Sequence, residues 1–441
     1  MRFQNRLSSF QIIIIGFAGV IILGAILLML PLSAQNGAVT AFDKALFTAT
    51  SAVCVTGLVV VDTASYWSYF GQFIILVLIQ IGGLGVVTVA SFLMVLSGRK
   101  MTLMHRQTIQ NALSSPQLGG MVKLTRFIFI ITILTEAIGA ILLMPVFIDQ
   151  YGARGIWMSV FHSISAFCNA GFDLMGSVFG SYSSLTAYSA NAYLSFVICL
   201  LIVIGGIGFL TWKDIVTKKD RIKEYRMQTK VILITTGILI LLPAIFFFFF
   251  DFSEYSFVER VSMSLFQAVT PRTAGFNTAD LNSMSDAGRS IIMILMLIGG
   301  SPGSTAGGIK TTTLAVLIIN SIAVFKNKQN ANCHGRRIDD SIVKNATTIL
   351  FMYVSFAMIA AIIISILNAL PMQACIFETF SAIGTVGLSL GITPELTPLS
   401  QFILVLLMFF GRVGGLTIIY AAFSHKDMSS SKYPLENITV G

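Results

Sequence analysis

Four short segments of this chain share one pattern of residue types, and each pattern closes on a glycine. Every segment starts with phenylalanine, carries a hydroxyl or a pair of small residues four to five positions on, and ends in glycine followed by leucine or phenylalanine. The segments are FTATSAVCVTGL (47–58), FHSISAFCNAGF (161–172), FQAVTPRTAGF (266–276) and FETFSAIGTVGL (377–388). Extended backbone whose carbonyls all face one way needs positive φ, which glycine adopts at least cost. Because rings of carbonyl oxygens can replace the hydration shell of a cation, the pattern predicts main-chain coordination of cations.

A second pattern follows each glycine and indicates a fourfold internal repeat. It reads IGGLGVVT (81–88), IGGIGFLT (204–211), IGGSPGST (298–305) and FGRVGGLT (410–417). Looking for internal periodicity precedes any other reading of a sequence, because a missed repeat leads to the wrong fold. A single glycine could equally serve to let two membrane helices pack closely. Four glycines at equivalent positions favour the coordinating role.

The elements that must position these glycines are long apolar helices. Of the 441 residues, 55% are hydrophobic and 11% are charged, whereas soluble domains carry roughly 25% charged residues. This composition excludes an ordinary soluble enzyme and a disordered chain, and the unbroken apolar runs exclude an alternating outer-membrane barrel. Eight runs are long enough to span a membrane: 11–32, 69–97, 124–148, 190–212, 229–250, 288–322, 346–369 and 399–423.

Each repeat therefore contains a span, a half-length segment and a second span. With two spans per unit, successive units enter from the same side and are parallel. The half-length segments must enter as a short helix and return as extended chain that faces a watery axis, since irregular backbone is not tolerated against lipid. We predict an all-α membrane protein with four parallel helix–pore loop–helix repeats, hence eight transmembrane helices, around a central pore. The predicted units are 1–98, 99–213, 214–325 and 326–441, the last of which includes a cytoplasmic tail.

The distribution of charge predicts the orientation in the membrane. Most of the 28 lysines and arginines fall at the N-terminus, in the connections 98–123, 213–230 and 325–345, and in the C-terminal tail. By the positive-inside rule these parts and both termini are cytoplasmic, so the net charge of +9 is an orientation signal, and no nucleic-acid partner is expected. The other face carries five bases: Lys44, Arg154, Arg260, Arg272 and Arg289. It also carries acids that would attract cations: Asp43, Asp62, Asp149, Asp173, Asp251, Glu254, Glu259, Asp280, Asp286, Glu378 and Glu395.

A few charged or irregular residues within the apolar runs are further candidates. The third unit breaks its second span with GGSPGSTAGGIKTTT (299–313). Arg412, in the second pattern of the fourth unit, is predicted to hold this loop by donating hydrogen bonds to its carbonyls, with pinning of helices to one another as the alternative. Glu136 is a candidate proton or sodium relay, with pairing to a neighbouring helix as the alternative. His162, on the second short segment, is expected to be a packed residue rather than a ligand. Segment 303–311 nearly matches a phosphate-binding loop, but Ile309 separates Gly308 from Lys310, so nucleotide binding is not expected there.

On these residues the sequence resembles the Trk/Ktr/HKT superfamily of potassium transporters over nearly the whole chain. The eight-span length is most like the membrane subunit of the bacterial Ktr potassium uptake system. The resemblance implies a selectivity filter of carbonyls that binds potassium. Its residues are Val55, Thr56, Gly57, Asn169, Ala170, Gly171, Thr273, Ala274, Gly275, Thr385, Val386 and Gly387. It also implies an intramembrane gate formed by Gly303, Ser304, Thr305, Ala306, Gly307, Gly308, Lys310 and Arg412.

The implied function is potassium uptake across the bacterial plasma membrane by a channel-like, gated translocating subunit that is not an enzyme. Sodium dependence is left open, and an alternating-access symporter coupled to sodium or protons is the alternative. With one glycine per loop, where potassium channels have two, selectivity for potassium over sodium should be looser than in a channel. The resemblance implies a homodimer and a cytoplasmic nucleotide-binding regulatory ring (KtrA-like) as partners. Beyond potassium, and sodium if it is coupled, no organic cofactor is expected, and the basic segments should attract anionic membrane lipids.

Overall fold

The computed structural model describes residues 8–97, 103–113 and 119–422. Both chain ends and parts of the first basic connection therefore lie outside the described residues, so the predicted position of the termini and of the tail is not addressed by it. The described chain is helical, apart from a two-residue antiparallel hairpin, β1 (Asn332–Cys333) and β2 (Arg336–Arg337).

The first half of the chain forms two similar sets of helices. Their bounds are α1 (Ser9–Met29), α2 (Phe42–Cys54), α3 (Thr63–Tyr66), α4 (Tyr69–Leu84), α5 (Val86–Leu96), α6 (Leu103–Ala112), α7 (Met121–Tyr151), α8 (Ala153–Phe167), α9 (Gly176–Phe179), α10 (Ala192–Ile207) and α11 (Phe209–Lys218). In each set a long apolar helix precedes a shorter helix, which is followed by a helix pair. Capping fixes the first boundary, because the Ser8 hydroxyl accepts the Gln11 backbone N–H while the Gln11 side chain bonds back to the Ser8 N–H.

The second half repeats the same order. Its helices are α12 (Met227–Phe250), α13 (Phe257–Val269), α14 (Asp286–Leu297), α15 (Thr311–Phe325), α16 (Asp340–Asn368), α17 (Met372–Gly384), α18 (Pro398–Val413) and α19 (Gly415–Ala422). Single 3₁₀ turns lie at Pro31–Ser33, Thr186–Tyr188, Ile222–Glu224 and Thr393–Glu395.

The long helices match four of the predicted spans. Helices α1, α7, α12 and α16 are 21, 31, 24 and 29 residues long and apolar enough to cross a membrane. At about 1.5 Å per residue, each exceeds or approaches the hydrocarbon thickness of about 30 Å.

The other predicted spans are not continuous helices, which corrects the sequence analysis. The predicted spans 69–97 and 190–212 each bend by 94° between two helices. The breaks fall at Gly85 and Gly208, with φ of 85° and 97°, and Gly414 separates α18 from α19 with a φ of 90°. These values lie in the region that side chains other than glycine rarely adopt. The sequence analysis expected such a break only in the third unit.

Contacts between helices close the four sets into a ring. The helix that follows each short helix packs on the short helix of the next set, α4 on α8, α10 on α13 and α14 on α17. The last contact, of α18 with α2, returns to the first set. The phenylalanine that opens each sequence pattern is buried in all four short helices: Phe47, Phe161, Phe266 and Phe377. The repeated phenylalanine is thus a core residue, and it fixes the short helices around one axis.

Candidate functional site

The four patterned glycines meet at the centre of this ring, each against the next strand of chain. A Cβ atom added to Gly57 would lie 2.5 Å from the carbonyl oxygen of Ala170, and one on Gly171 would lie 2.7 Å from that of Ala274. In the same way Gly275 abuts the Val386 carbonyl, and Gly387 abuts the Thr56 carbonyl. The contacts run from each set to the next and back to the first. We call these four glycines and the two residues before each of them the glycine ring.

The backbone conformation of the glycine ring agrees with the prediction made from glycine. Gly57, Gly171, Gly275 and Gly387 have φ of 91°, 67°, 77° and 95°. The residue two positions earlier also has positive φ in every copy, at 58°, 61°, 70° and 53° for Val55, Asn169, Thr273 and Thr385. The sequence analysis missed this second conformation, because valine and threonine give no sign of a left-handed residue. Only the recurrence of the position in all four copies could have indicated it.

A hydroxyl side chain at the equivalent position of each copy forms a hydrogen bond with the backbone of the glycine ring or of the residue after it. Ser51 and Ser381 accept the backbone N–H of Gly57 and Gly387 at 3.1 and 3.0 Å. In the other two copies the hydroxyl instead donates to the carbonyl of the residue after glycine, Ser165 to Phe172 at 2.7 Å and Thr270 to Phe276 at 2.5 Å. These bonds tie each extended strand to the end of its own short helix.

The predicted gate, residues 299–313, is an irregular loop between α14 and α15 that packs against the base of the glycine ring. Cβ atoms added to Gly299 and Gly307 would meet the side chains of Thr273 and Thr385. The Thr305 hydroxyl donates to the carbonyl of Phe167 at 3.1 Å, at the end of α8. Thr305 and Ala306 are buried. The loop is therefore packed against residues of the glycine ring and the end of α8.

Two basic side chains hold this loop by its carbonyls. Lys310 Nζ donates to the carbonyls of Ala306 and Gly307 at 2.8 and 3.3 Å. Arg412 Nη1 donates to the carbonyl of Thr305. Arg412 Nη2 donates to the Gly82 and Gly83 carbonyls at 2.5 and 3.0 Å, where α4 ends. The guanidinium thus joins the loop of the third set to the end of α4 in the first set.

Glu136, the candidate relay, lies behind the second strand of the glycine ring. Gln80 Nε2 donates to Glu136 Oε2 at 3.2 Å, and the Cys168 Sγ lies 3.8 Å from Glu136 Oε1. Ser163 Oγ donates to the backbone carbonyl of Glu136 at 2.7 Å. The described residues contain no group of three or more metal-ligating side chains. The carboxyl therefore has partners from α4 and from the end of α8, which corresponds to the paired alternative.

We expect Glu136→Gln to change the initial rate of ion uptake by less than about twofold, because an amide oxygen can still accept from Gln80. Glu136→Leu leaves the half-buried Gln80 amide without this partner, at a cost of up to about 1 kcal/mol, and should lower the thermal unfolding midpoint in detergent. Uptake assays and melting curves of both variants check this. A loss of uptake in Glu136→Gln at an unchanged melting midpoint would instead support a relay.

His162 is a packed residue, as expected. Its Nδ1 lies 2.7 Å from the Met158 carbonyl, and its Nε2 accepts the Leu174 backbone N–H at 3.3 Å. Because Nε2 accepts, Nδ1 carries the proton and donates, and both ring nitrogens are used within the fold. The ring is fully buried beside Phe147 and Phe276.

Arg272 corrects the sequence analysis, which counted it among the exposed outer bases. It is 6% exposed, and its Nη2 lies 3.5 Å from the hydroxyl of Thr236, in the middle of α12. Its place in the third strand, directly before Thr273, brings it inside the molecule. The burial of Arg272 could have been predicted from its position within the third copy of the pattern, but not from its charge.

Several of the predicted outer acids are bound in the fold and do not contribute a free surface charge. Glu378 is buried and accepts from the hydroxyls of Ser389, at 2.9 Å, and Thr393. Asp62 accepts the backbone N–H of Tyr182 at 3.0 Å and caps α3. Burial raises the pKa of Asp173 to about 7, although the Met175 N–H opposes the shift. The field at this end of the ring is therefore weaker than the count of acids indicates.

The family model described as "Cation transport protein", TrkH, matches residues 4–433. The chain is 40% identical to the potassium/sodium uptake protein NtpJ of Enterococcus hirae, with 100% of this chain and 99% of that protein covered. It is 38% identical to the Ktr system potassium uptake protein B of Bacillus subtilis, with 99% and 97% covered. The crystal structure of the potassium transporter TrkH from Vibrio parahaemolyticus matches 95% of this chain and 86% of that chain at a TM-score of 0.75 and 15% identity, a likeness of fold.

Proposed function

The chain belongs to the TrkH family of cation transport proteins, and from this premise we propose that it carries potassium into the cell as the channel-like translocating subunit of a Ktr-type uptake system. Two relatives that cover nearly the whole chain are named for potassium uptake, one of them also for sodium. The observation that supports the proposal most strongly is the closed glycine ring, in which each glycine lies against a main-chain carbonyl oxygen of the next set.

The proposed architecture is four parallel helix–pore loop–helix repeats with eight transmembrane helices, in the units 1–98, 99–213, 214–325 and 326–441. Four long helices and two bent pairs have the length and apolarity of spans. These make up to six spans, and the proposal assigns the remaining two to the shorter apolar helices α15 and α18. The recurrence of the same helix order in each unit and the cyclic packing of the short helices support this arrangement.

The glycine ring is proposed as the selectivity filter. Potassium would be held by carbonyls of the twelve residues from Val55–Gly57, 169–171, 273–275 and 385–387. Helix C-terminal ends carry partial negative charge, and α2, α8, α13 and α17 all end at the ring, which suits a cation. Four non-identical loops with one glycine each support a filter with few ion sites.

The loop 299–313 is proposed as the gate. Residues 303–308 and Lys310 lie across the path below the ring, and Arg412 holds them through the Thr305 carbonyl. Broken backbone of this kind is tolerated at membrane depth only where it lines a cavity or is buried in protein. Two cationic groups beneath the filter also oppose passage of cations while the loop is in place.

The protein is proposed to span the bacterial plasma membrane with both termini cytoplasmic, paired as a homodimer and regulated by a cytoplasmic nucleotide-binding ring (KtrA-like). The exposed basic residues of the third connection, among them Lys326, Lys328 and Arg336, support an inside position and a docking role. The names of several relatives as parts of a Ktr system support a regulatory partner. The basic connections would also contact anionic lipids.

Potassium and sodium uptake in a cell that lacks its own potassium transport tests the proposal. We expect this chain to restore growth at low potassium, and uptake to rise when the cognate cytoplasmic subunit is present. The alternative, a symporter coupled to sodium or protons, predicts flux that requires the co-ion and saturates at a low turnover. Passive flux that follows the potassium gradient without a co-ion would exclude that alternative, and failure to move either ion would contradict the proposal.

A further inference from the structure

A cavity of about 610 Å³ lies beneath the gating loop, on the side away from the glycine ring. The loop itself, from Pro302 to Lys310, forms one end of it. Much of its wall is apolar and comes from α1, α15 and α16, with Ile13, Phe17, Val316 and Ile349 among the lining side chains. Its volume falls within the range of about 300–1,000 Å³ that small-molecule sites occupy. The cavity is thus large enough for a molecule with a hydrocarbon chain.

The charged groups of this cavity have one sign. Lys310, Arg412 and Arg337 line it, and among the described lining residues there is no aspartate or glutamate. This is unexpected beside a cation path, because acidic linings are what concentrate cations. The charge of the cavity instead suits an anion.

Lys310 and Arg412 form the charged end of the cavity and act on one stretch of backbone. They donate to three consecutive loop carbonyls, those of Thr305, Ala306 and Gly307. None of the ion pairs found among the described residues includes either side chain. Carbonyl dipoles offset part of the cost of placing two like charges in a half-buried site, but the described lining of the cavity offers no carboxylate to offset the rest. One anionic group between them would supply that charge.

We propose that this cavity binds an amphipathic anion. Its carboxylate or phosphate head would lie between Lys310 and Arg412, and its hydrocarbon chain would lie along the apolar wall formed by α1, α15 and α16. An arginine guanidinium and a lysine ammonium are the donors that bind such heads in charge-assisted hydrogen bonds. The assignment follows from the cavity and its charges. The expected effect of the bound anion on ion flux rests additionally on the proposed function, because the anionic head would stabilise the gating loop in its closed position.

Equilibrium binding of radiolabelled oleate to the purified full chain in a non-ionic detergent tests the site. We expect saturable binding of about one oleate per chain. Lys310→Gln should weaken it at least about tenfold, corresponding to about 1.4 kcal/mol. The matched control Lys44→Gln, at an exposed lysine of α2 that does not line the cavity, should leave it unchanged. Val316→Trp, which fills the apolar wall and keeps both cations, should weaken it as well. If both Lys310→Gln and Val316→Trp bound oleate as tightly as the unaltered chain does, the proposal would be overturned.

Two competitors separate the parts of the ligand. Oleamide has the same chain without the charge, and it should compete at least about tenfold more weakly than oleate. Acetate and inorganic phosphate carry only the head, and they should compete only at far higher concentration. If oleamide competed as well as oleate, the site would recognise hydrocarbon alone. If acetate displaced all the oleate at low concentration, the site would recognise small anions alone. Either result would contradict an amphipathic ligand.

Potassium flux through the chain in liposomes tests whether the anion site lies beneath the gate, independently of the binding assay. Oleate should lower potassium flux of the unaltered chain severalfold and have no effect on Val316→Trp. If the unaltered chain carried no ions at all, the proposed function would fail while the binding result still stood. Saturable binding with unchanged flux in an active chain would contradict the position beneath the gate.

Discussion

Replacing Gly57 or Gly171 with serine should lower the potassium-over-sodium selectivity of uptake at least about tenfold. Both glycines have positive φ, which costs an L-residue roughly 1–2 kcal/mol. A new Cβ would also lie 2.5–2.7 Å from the carbonyl of the neighbouring strand, closer than any ordinary contact. The neighbouring strand must shift, and with it the oxygens proposed to bind potassium. A tenfold change corresponds to about 1.4 kcal/mol, within the combined cost of conformation and contact.

Gly237→Ser is the matched control for this experiment. Gly237 lies in α12 and has no atom within 4 Å of an added Cβ, so the same substitution should leave both fluxes unchanged. Potassium and sodium uptake rates of the three variants, compared at equal amounts of protein in the membrane, give the selectivity ratio. Unchanged ratios in both Gly57→Ser and Gly171→Ser would refute the assignment of the glycine ring as a filter.

Shortening the gating loop by deletion of residues 304–307 should raise potassium flux at least about tenfold in the absence of the cytoplasmic partner. The deletion removes Thr305, whose hydroxyl donates to the Phe167 carbonyl, and it removes the three loop carbonyls that accept from Lys310 and Arg412. If the loop is the main barrier, its loss lowers the barrier by at least about 1.4 kcal/mol. Arg412→Gln, which keeps the loop and loses the guanidinium, should raise the flux by a smaller factor.

Arg336→Gln is the control for loss of a positive charge, because Arg336 is exposed in the hairpin β1–β2 and makes no contact with the loop among those described. Flux is measured in liposomes with purified chain whose gel-filtration profile shows normal folding. A normally folded deletion variant with lower flux than the parent would show that the loop and Arg412 support the structure rather than obstruct the path.

The sequence predicted the parts of this fold that repeat. Phenylalanine, hydroxyl and glycine recur in four copies, and the structure places their counterparts at equivalent positions, with Phe47 buried, Ser51 bonded to the strand and Gly57 in the ring. Repetition is informative because chance similarity at one position is common, whereas agreement at three spaced positions in four copies is not.

The sequence did not predict which glycines bend helices. Gly57 and Gly85 look alike in sequence, yet one lies in a strand of the ring and the other divides α4 from α5 at a bend of 94°. Hydrophobicity gives the length of an apolar run, but it does not report a change of direction inside it, since both halves of the bent pair remain apolar. At the end of α4, Arg412 donates to the carbonyls of Gly82 and Gly83, a contact between distant parts of the chain that hydrophobicity does not report.

Close packing of helices was the alternative explanation for the glycines of the first pattern. The structure shows such packing at other glycines. Added Cβ atoms on Gly82, Gly205 and Gly411 would meet the carbonyls of Val53, Phe167 and Ile383 at the ends of the short helices. These are glycines of the second sequence pattern. Sequence alone could not divide the two roles, because both need the absence of a side chain.

The contact of α18 with α2 closes the ring within one polypeptide. In an assembly of four identical subunits, one codon change would alter all four quarters of such a ring at once. Here each wall has its own codons, so a substitution such as that of Gly171 changes a quarter of the perimeter and leaves three quarters intact. Selection and protein engineering can therefore adjust permeation in single-quadrant steps, with intermediate phenotypes that a fourfold-symmetric tetramer cannot express from one gene.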